Sequence, residues 1–179
     1  DPVAPESVHL AEFPKADKSL IDLELAEATR LAMRLSSLGR SARSKAKLKV
    51  RQPLEQALIK LRFSNEIKYW NSIKDQIEEE LNVKNAKLIQ DPKDAAKFIE
   101  MKLNMASIGP KFGNETNKVA KAFAFGQSSA IFEKISNGNT FELEGYELKP
   151  DDVQINSTEI EGYSTSLEAG YMVVIETVI

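Results

Sequence analysis

From Asp17 onward the apolar residues Ile21, Leu25, Ala28, Ala32 and Leu35 recur at steps of three and four, which sets them on one face of a helix. Asp17 or Ser19 is its predicted cap and Gly39 its predicted stop. Asp22, Glu24 and Glu27 crowd the first half while Arg30 and Arg34 lie toward the other end, in the sense the helix dipole favours. A lone helix cannot bury its own stripe. Partner helices are therefore expected, with part of a bundle outside this sequence.

Beyond Pro53 the period changes. Ala57-Leu58-Ile59-Lys60-Leu61 is a run of strand length; Ser64 can cap a helix carrying Ile67, Trp70, Ile73, Ile77 and Leu81; Val83 to Gln90 reads as a second strand. Strand, helix, strand predicts a right-handed crossover and a parallel pair. Asp91-Pro92 breaks the chain, and Ile99, Met101, Leu103 and Met105 alternate with polar residues, the period of a half-buried strand. Asn114 predicts a short helix with Val119, Ala122 and Phe123 inward, and Ser128 or Ser129 a second with Ile131, Phe132 and Ile135, ended by Asn137-Gly138. Thr140 to Leu143, Val153 to Ile155 and Tyr171 to Val178 read as strands. The expected class is α+β: a partial helical-bundle segment over residues 1–54, then a small mixed-sheet α/β domain over 55–179.

A chain of 179 residues, 42% hydrophobic and 28% charged, suits one large or two small globular domains. The net charge of −3 argues against a polyanion binder by bulk electrostatics, but the distribution reverses that reading. Between Ala28 and Leu54 stand eight Lys or Arg and no acid, and six of these cations fall in the twelve residues from Arg40 to Arg51. Such a run can neutralise RNA phosphates, with Arg gripping in two-point fashion and Lys acting as a point charge. It can equally be a solvated basic face at a helix end. On the pattern alone both readings stand.

No cysteine is present, which excludes disulfides and thiolate metal sites, and a single His gives no basis for a histidine metal centre. No apolar run approaches the roughly 20 residues that span a bilayer, and the first residues lack a signal-peptide pattern. His9, between Val8 and Leu10, reads as local packing rather than a general base. Gly109-Pro110-Lys111-Phe112-Gly113 lacks P-loop spacing and reads as a tight turn; Glu78-Glu79-Glu80 and Asp151-Asp152 read as solvated surface. Trp70 belongs to the core, whereas Phe63, Tyr69 and Phe112 are weaker base-stacking candidates. Neither catalytic nor metal-binding residues are predicted.

The order Gly39-Arg40-x-x-Arg43, then Lys49-Val50-Arg51-Gln52-Pro53-Leu54, resembles the exit from the anticodon-binding helical domain of long-type isoleucyl-tRNA synthetases. Ser7-Val8-His9-Leu10 with Phe13-Pro14 upstream, Glu80-Leu81-Asn82-Val83-Lys84, Ser107 to Gly113, Gly162-Tyr163 and Tyr171 to Val174 fall in the order that family shows; valyl and leucyl relatives fit less well. The resemblance implies Arg40, Arg43 and Arg51 as tRNA contacts, with Lys45, Lys47 and Lys49 on phosphates. Arg51 has a structural alternative, pinning the helical part to the appendage. The implied partners are tRNA and the rest of the synthetase chain, in the cytoplasm, with neither DNA nor a membrane. ATP and Mg belong to the parent enzyme and no cofactor to this segment, because the sequence has no His-x-Gly-His or Lys-Met-Ser-Lys-Ser motif. The family continues into another helix where this sequence stops, so an excised segment is expected. The competing expectation is a scaffold or interdomain docking module that does not bind RNA.

Overall fold

The computed structural model describes Ser7, His9 and residues 15–126 and 129–178. Val8, Leu10, Phe13, Pro14 and Ser128 lie outside the described residues. Helix α1 runs Leu23–Lys45. Its cap is Asp22, whose carboxylate accepts the Leu25 N–H at 3.0 Å; Asp17 instead caps a 3-10 turn at Lys18–Leu20. The predicted stripe is displaced. Ile21 and Leu25 are exposed, and Ala28, Leu31, Ala32, Leu35, Leu38 and Ala42 form the buried face. Gly39 does not stop the helix: a Cβ there would lie 2.4 Å from the Leu81 side chain, so glycine permits a close crossing.

The main sheet holds strands β1 (Leu54–Lys60), β2 (Val83–Leu88), β7 (Tyr163–Glu168) and β8 (Tyr171–Glu176) in the order β2-β1-β8-β7. The crossover between β1 and β2 is a 3-10 turn, Ser64–Tyr69, and helix α2, Trp70–Leu81; the two strands are parallel, as the pattern predicts. Helix α2 ends on Asn82 at φ 48°, a left-handed position that asparagine tolerates. Strand β8 pairs antiparallel with both β1 and β7.

Strand β8 explains the layering. Tyr171, Val173 and Ile175 point into a core with α1 and α2, while Met172 and Val174 point into a second core on the other face. A strand covered on both faces reads as a continuous apolar run. The second core contains helices α3 (Pro92–Ala96), α4 (Met105–Phe112), α5 (Thr116–Gly126) and α6 (Ser129–Ser136). It also contains the antiparallel pair β3 (Ile99–Leu103) with β6 (Val153–Ser157), and the hairpin β4 (Phe141–Leu143) with β5 (Tyr146–Leu148). The fold is α+β, with α1 lying across the sheet against α2, β7 and β8.

Three sequence expectations change here. Gly109 to Phe112 is not a turn but the end of α4, anchored by fully buried Ile108. Asp152 is not solvated surface: it is 3% exposed and accepts hydrogen bonds from the Ser107 hydroxyl (2.5 Å), the Lys111 ammonium (2.8 Å) and the Lys149 N–H (2.8 Å). His9 is exposed, its N–H meeting Ser7 Oγ at 3.3 Å. Helices α3 and α4 and strands β5 and β7 had no counterpart in the pattern.

Candidate nucleic-acid interface

The basic run occupies the last two turns of α1 and the loop 46–53 that enters β1. A loop of this length has carbonyls that need partners wherever it touches the fold. Arg43 provides them. Its side chain is 1% exposed, and its guanidinium donates to the carbonyls of Leu81 (2.9 Å), Lys49 (2.6 Å), Val50 (3.3 Å) and Gln52. A planar fork of five N–H donors suits this task, which a lysine could not perform. Burial pulls the Arg43 pKa below the ordinary arginine value. The bridging role that the sequence offered for Arg51 is thus occupied by Arg43.

Lys47 closes the helix end at φ 57°, with the Leu48 N–H donating to the Arg43 carbonyl at 2.9 Å. The Asn82 amide also donates to the Val50 carbonyl at 3.0 Å. The loop is therefore held from two sides, and its exposed side chains project from a fixed backbone.

The six predicted contacts divide into two groups. Arg40 pairs with Glu80 at 2.8 Å, with both side chains about half exposed. Lys45 donates to the Thr165 carbonyl of β7 at 3.0 Å, and Arg43 is enclosed. Lys47, Lys49 and Arg51 are exposed, and among the described residues no ion pair engages them. Lys49 and Arg51 border an open depression of about 530 Å³ with Arg40, Arg43, Leu48 and Val50. The arrangement can bind a run of phosphates.

The aromatic candidates do not join this surface. Trp70 is partly buried against the first core, and Tyr69 donates its hydroxyl to Glu27 at 3.0 Å. Phe112 packs edge-on against Tyr146. Phe63 is 42% exposed but follows the far end of β1, whose seven residues separate it from the basic loop by roughly 23 Å. Among the described residues no group of three or more His, Cys, Asp or Glu is placed to hold a metal, and no helix is long and apolar enough to cross a membrane.

No protein-family model matches the chain. Over 178 residues it is 35% identical to the isoleucine-tRNA ligase of Streptomyces avermitilis, covering 98% of this chain and 17% of that protein. The ligase of Thermobifida fusca is 36% identical over 179 residues, with the same coverage, and that of Bacteroides thetaiotaomicron 33% identical over 176. The chain is homologous to a segment of isoleucine-tRNA ligases. It spans about one sixth of the length of these relatives. The missed signal was Arg43: a basic residue at the inward face of an apolar helix stripe, one turn after Gly39 and in phase with Ala32 and Ser36, is placed to be buried.

Proposed function

We propose that the chain is the anticodon-side tRNA-binding segment of a class I isoleucine-tRNA ligase, the end of its helical anticodon-binding domain (1–54) followed by its C-terminal α/β appendage (55–179). The parent enzyme charges tRNA with isoleucine using ATP and Mg during protein synthesis in the cytoplasm, and the adenylation chemistry lies in other parts of it. The observation that carries this reading is the loop 46–53, on which Lys47, Lys49 and Arg51 stand exposed while buried Arg43 fixes the backbone beneath them. Lys47, Lys49 and Arg51 neutralise phosphates, and Arg40 joins them by exchanging Glu80 for the nucleic acid. Arg43 acts on the RNA by positioning the loop, and Lys45 ties the end of α1 to the Thr165 carbonyl of β7.

The test is a titration of isoleucine tRNA and a non-cognate tRNA at low and physiological salt, with a variant carrying Lys47→Ala, Lys49→Ala and Arg51→Ala. Salt-dependent binding lost in the variant, with cognate preference, is expected. Equal weak binding of both tRNAs reduces the run to general phosphate affinity.

The second reading is an interdomain docking module that does not bind RNA. Leu20, Ile21, Leu23 and Leu25 favour it, since all four are exposed near the start of α1, at 80%, 57%, 71% and 64%. Absence of any binding at low salt, with the melting temperature unchanged between chain and variant, decides for docking.

A further inference from the structure

At the opposite end of β1 from the basic loop, the chain buries a second cationic site. Lys60, the last residue of β1, is 8% exposed. Its ammonium lies 5.0 Å from the centre of the Phe132 ring and donates one long bond, 3.3 Å, to the Leu61 carbonyl. An ammonium carries three donors and is costly to enclose with so few partners. Arg62, two residues on, stacks on Phe63 at 4.7 Å, and its buried Nε has no hydrogen-bond partner among the described residues.

Both cations line one crevice of about 370 Å³ beyond the carboxyl ends of the parallel strands β1 and β2. Open sheets with parallel strands commonly place ligands there. The walls include Ile67, Leu88 and Ile89, and the one carboxylate on the lining is Glu133 of α6. Burial pushes the Lys60 pKa down and Glu133 draws it up, with burial prevailing. Two cations against one carboxylate leave a single positive charge to be matched, and the walls are apolar.

We propose that this crevice binds a small carboxylate with an apolar body, its oxygens on Lys60 and Arg62 and its hydrocarbon against Ile67, Leu88 and Ile89. A monoanion fits the net charge; a phosphate dianion does not. The inference is independent of tRNA binding, since it concerns the other end of the sheet.

The test is an NMR titration of the 179-residue chain with 4-methylpentanoate, following the Lys60 side chain and the Ile89 amide, beside 4-methylpentan-1-ol and inorganic phosphate. Saturable shifts are expected for the carboxylate alone, with affinity reduced at least about tenfold in Lys60→Met and in Arg62→Gln. Carboxylate binding should also raise the Lys60 pKa, which a purely structural lysine would not show. Absence of saturation, equal binding of the alcohol or equal binding of phosphate each overturns the proposal. Should Lys60→Met not fold, the wild-type titration with Arg62→Gln decides, because Arg62 is only partly buried.

Discussion

Among the described residues Arg43, Lys60 and Asp152 are the charges this fold encloses, and their hydrogen bonding sets what each does for stability. Asp152 is fully served. Burial pushes its carboxyl pKa up, but the bonds from Lys111, Lys149 and Ser107 outweigh that and hold it below the ordinary 3.8. A carboxylate with a lowered pKa contributes stability in full above its unfolded value, and that contribution fades as pH falls through the folded value. Asp152→Ala should therefore cost about 1–3 kcal/mol at pH 7, chiefly by leaving the Ser107 hydroxyl and the Lys149 N–H without their acceptor, since Lys111 keeps the Glu147 carbonyl. In urea melts the gap from wild type should narrow below pH 3.8; a gap independent of pH would show that packing, not charge, is lost. Lys60 has the reverse sign. Its folded pKa is lowered from 10.5, so between the two values the unfolded chain holds more protons and stability rises with pH. Tyr171, raised to about 12 by burial and by its hydrogen bond to Glu66, works against this above pH 10. The comparison with Lys60→Met isolates the lysine: the variant should be the more stable at pH 7, and its advantage should shrink as pH rises toward 10.5.

At the scale of elements, α1 shows what the pattern could and could not convey. Its existence and much of its buried face were legible because the apolar period is that of a helix. Its end was not, since glycine before a basic run reads as a stop. Gly39 is there instead for the crossing with Leu81, a tertiary reason that no local window contains. The true end uses Lys47 in the left-handed region, where lysine is rarely found. Two opposite outcomes follow from these readings. Gly39→Ala gains helix propensity but drives a methyl into fully buried Leu81, and a net loss of about 1–3 kcal/mol is expected. Lys47→Gly should stabilise by about 0.5–1 kcal/mol while removing one exposed cation. Thermal melts with the signs exchanged would restore Gly39 as the helix stop. Helix α4 was obscured by Pro110 inside it, and β7 by its polar sequence. As the edge of the sheet, β7 buries chiefly Thr165 and Ser166 and offers no apolar alternation to read, although Ala169-Gly170, both at positive φ, marks the hairpin into β8.

For the whole molecule, a chain of net charge −3 presents cations at both ends of β1, and the two ends are built differently. At the entry, Lys47, Lys49 and Arg51 stand in solvent above a carbonyl cage closed by Arg43; at the exit, Lys60 and Arg62 are withdrawn among apolar walls. The sequence located all six entry cations but not their division of labour, because one more turn of helix decides which basic residue faces inward. That division predicts a separation measurable in one assay. Three exposed phosphate contacts on single-stranded RNA give a slope of log affinity against log salt near −2, at about 0.7 per contact. Removing Lys47, Lys49 and Arg51 together should remove that contribution and leave only the shallow slope of about −0.7 that Arg40 supplies, with the melting temperature held. Arg43→Lys should do the opposite, lowering the melting temperature because one ammonium cannot serve four carbonyls, while the three outer cations and most of the salt slope persist wherever the chain is folded. If Arg43→Lys instead removed the slope in folded protein, Arg43 would have to leave its cage to meet the RNA, and the loop would be a moving part rather than a fixed platform.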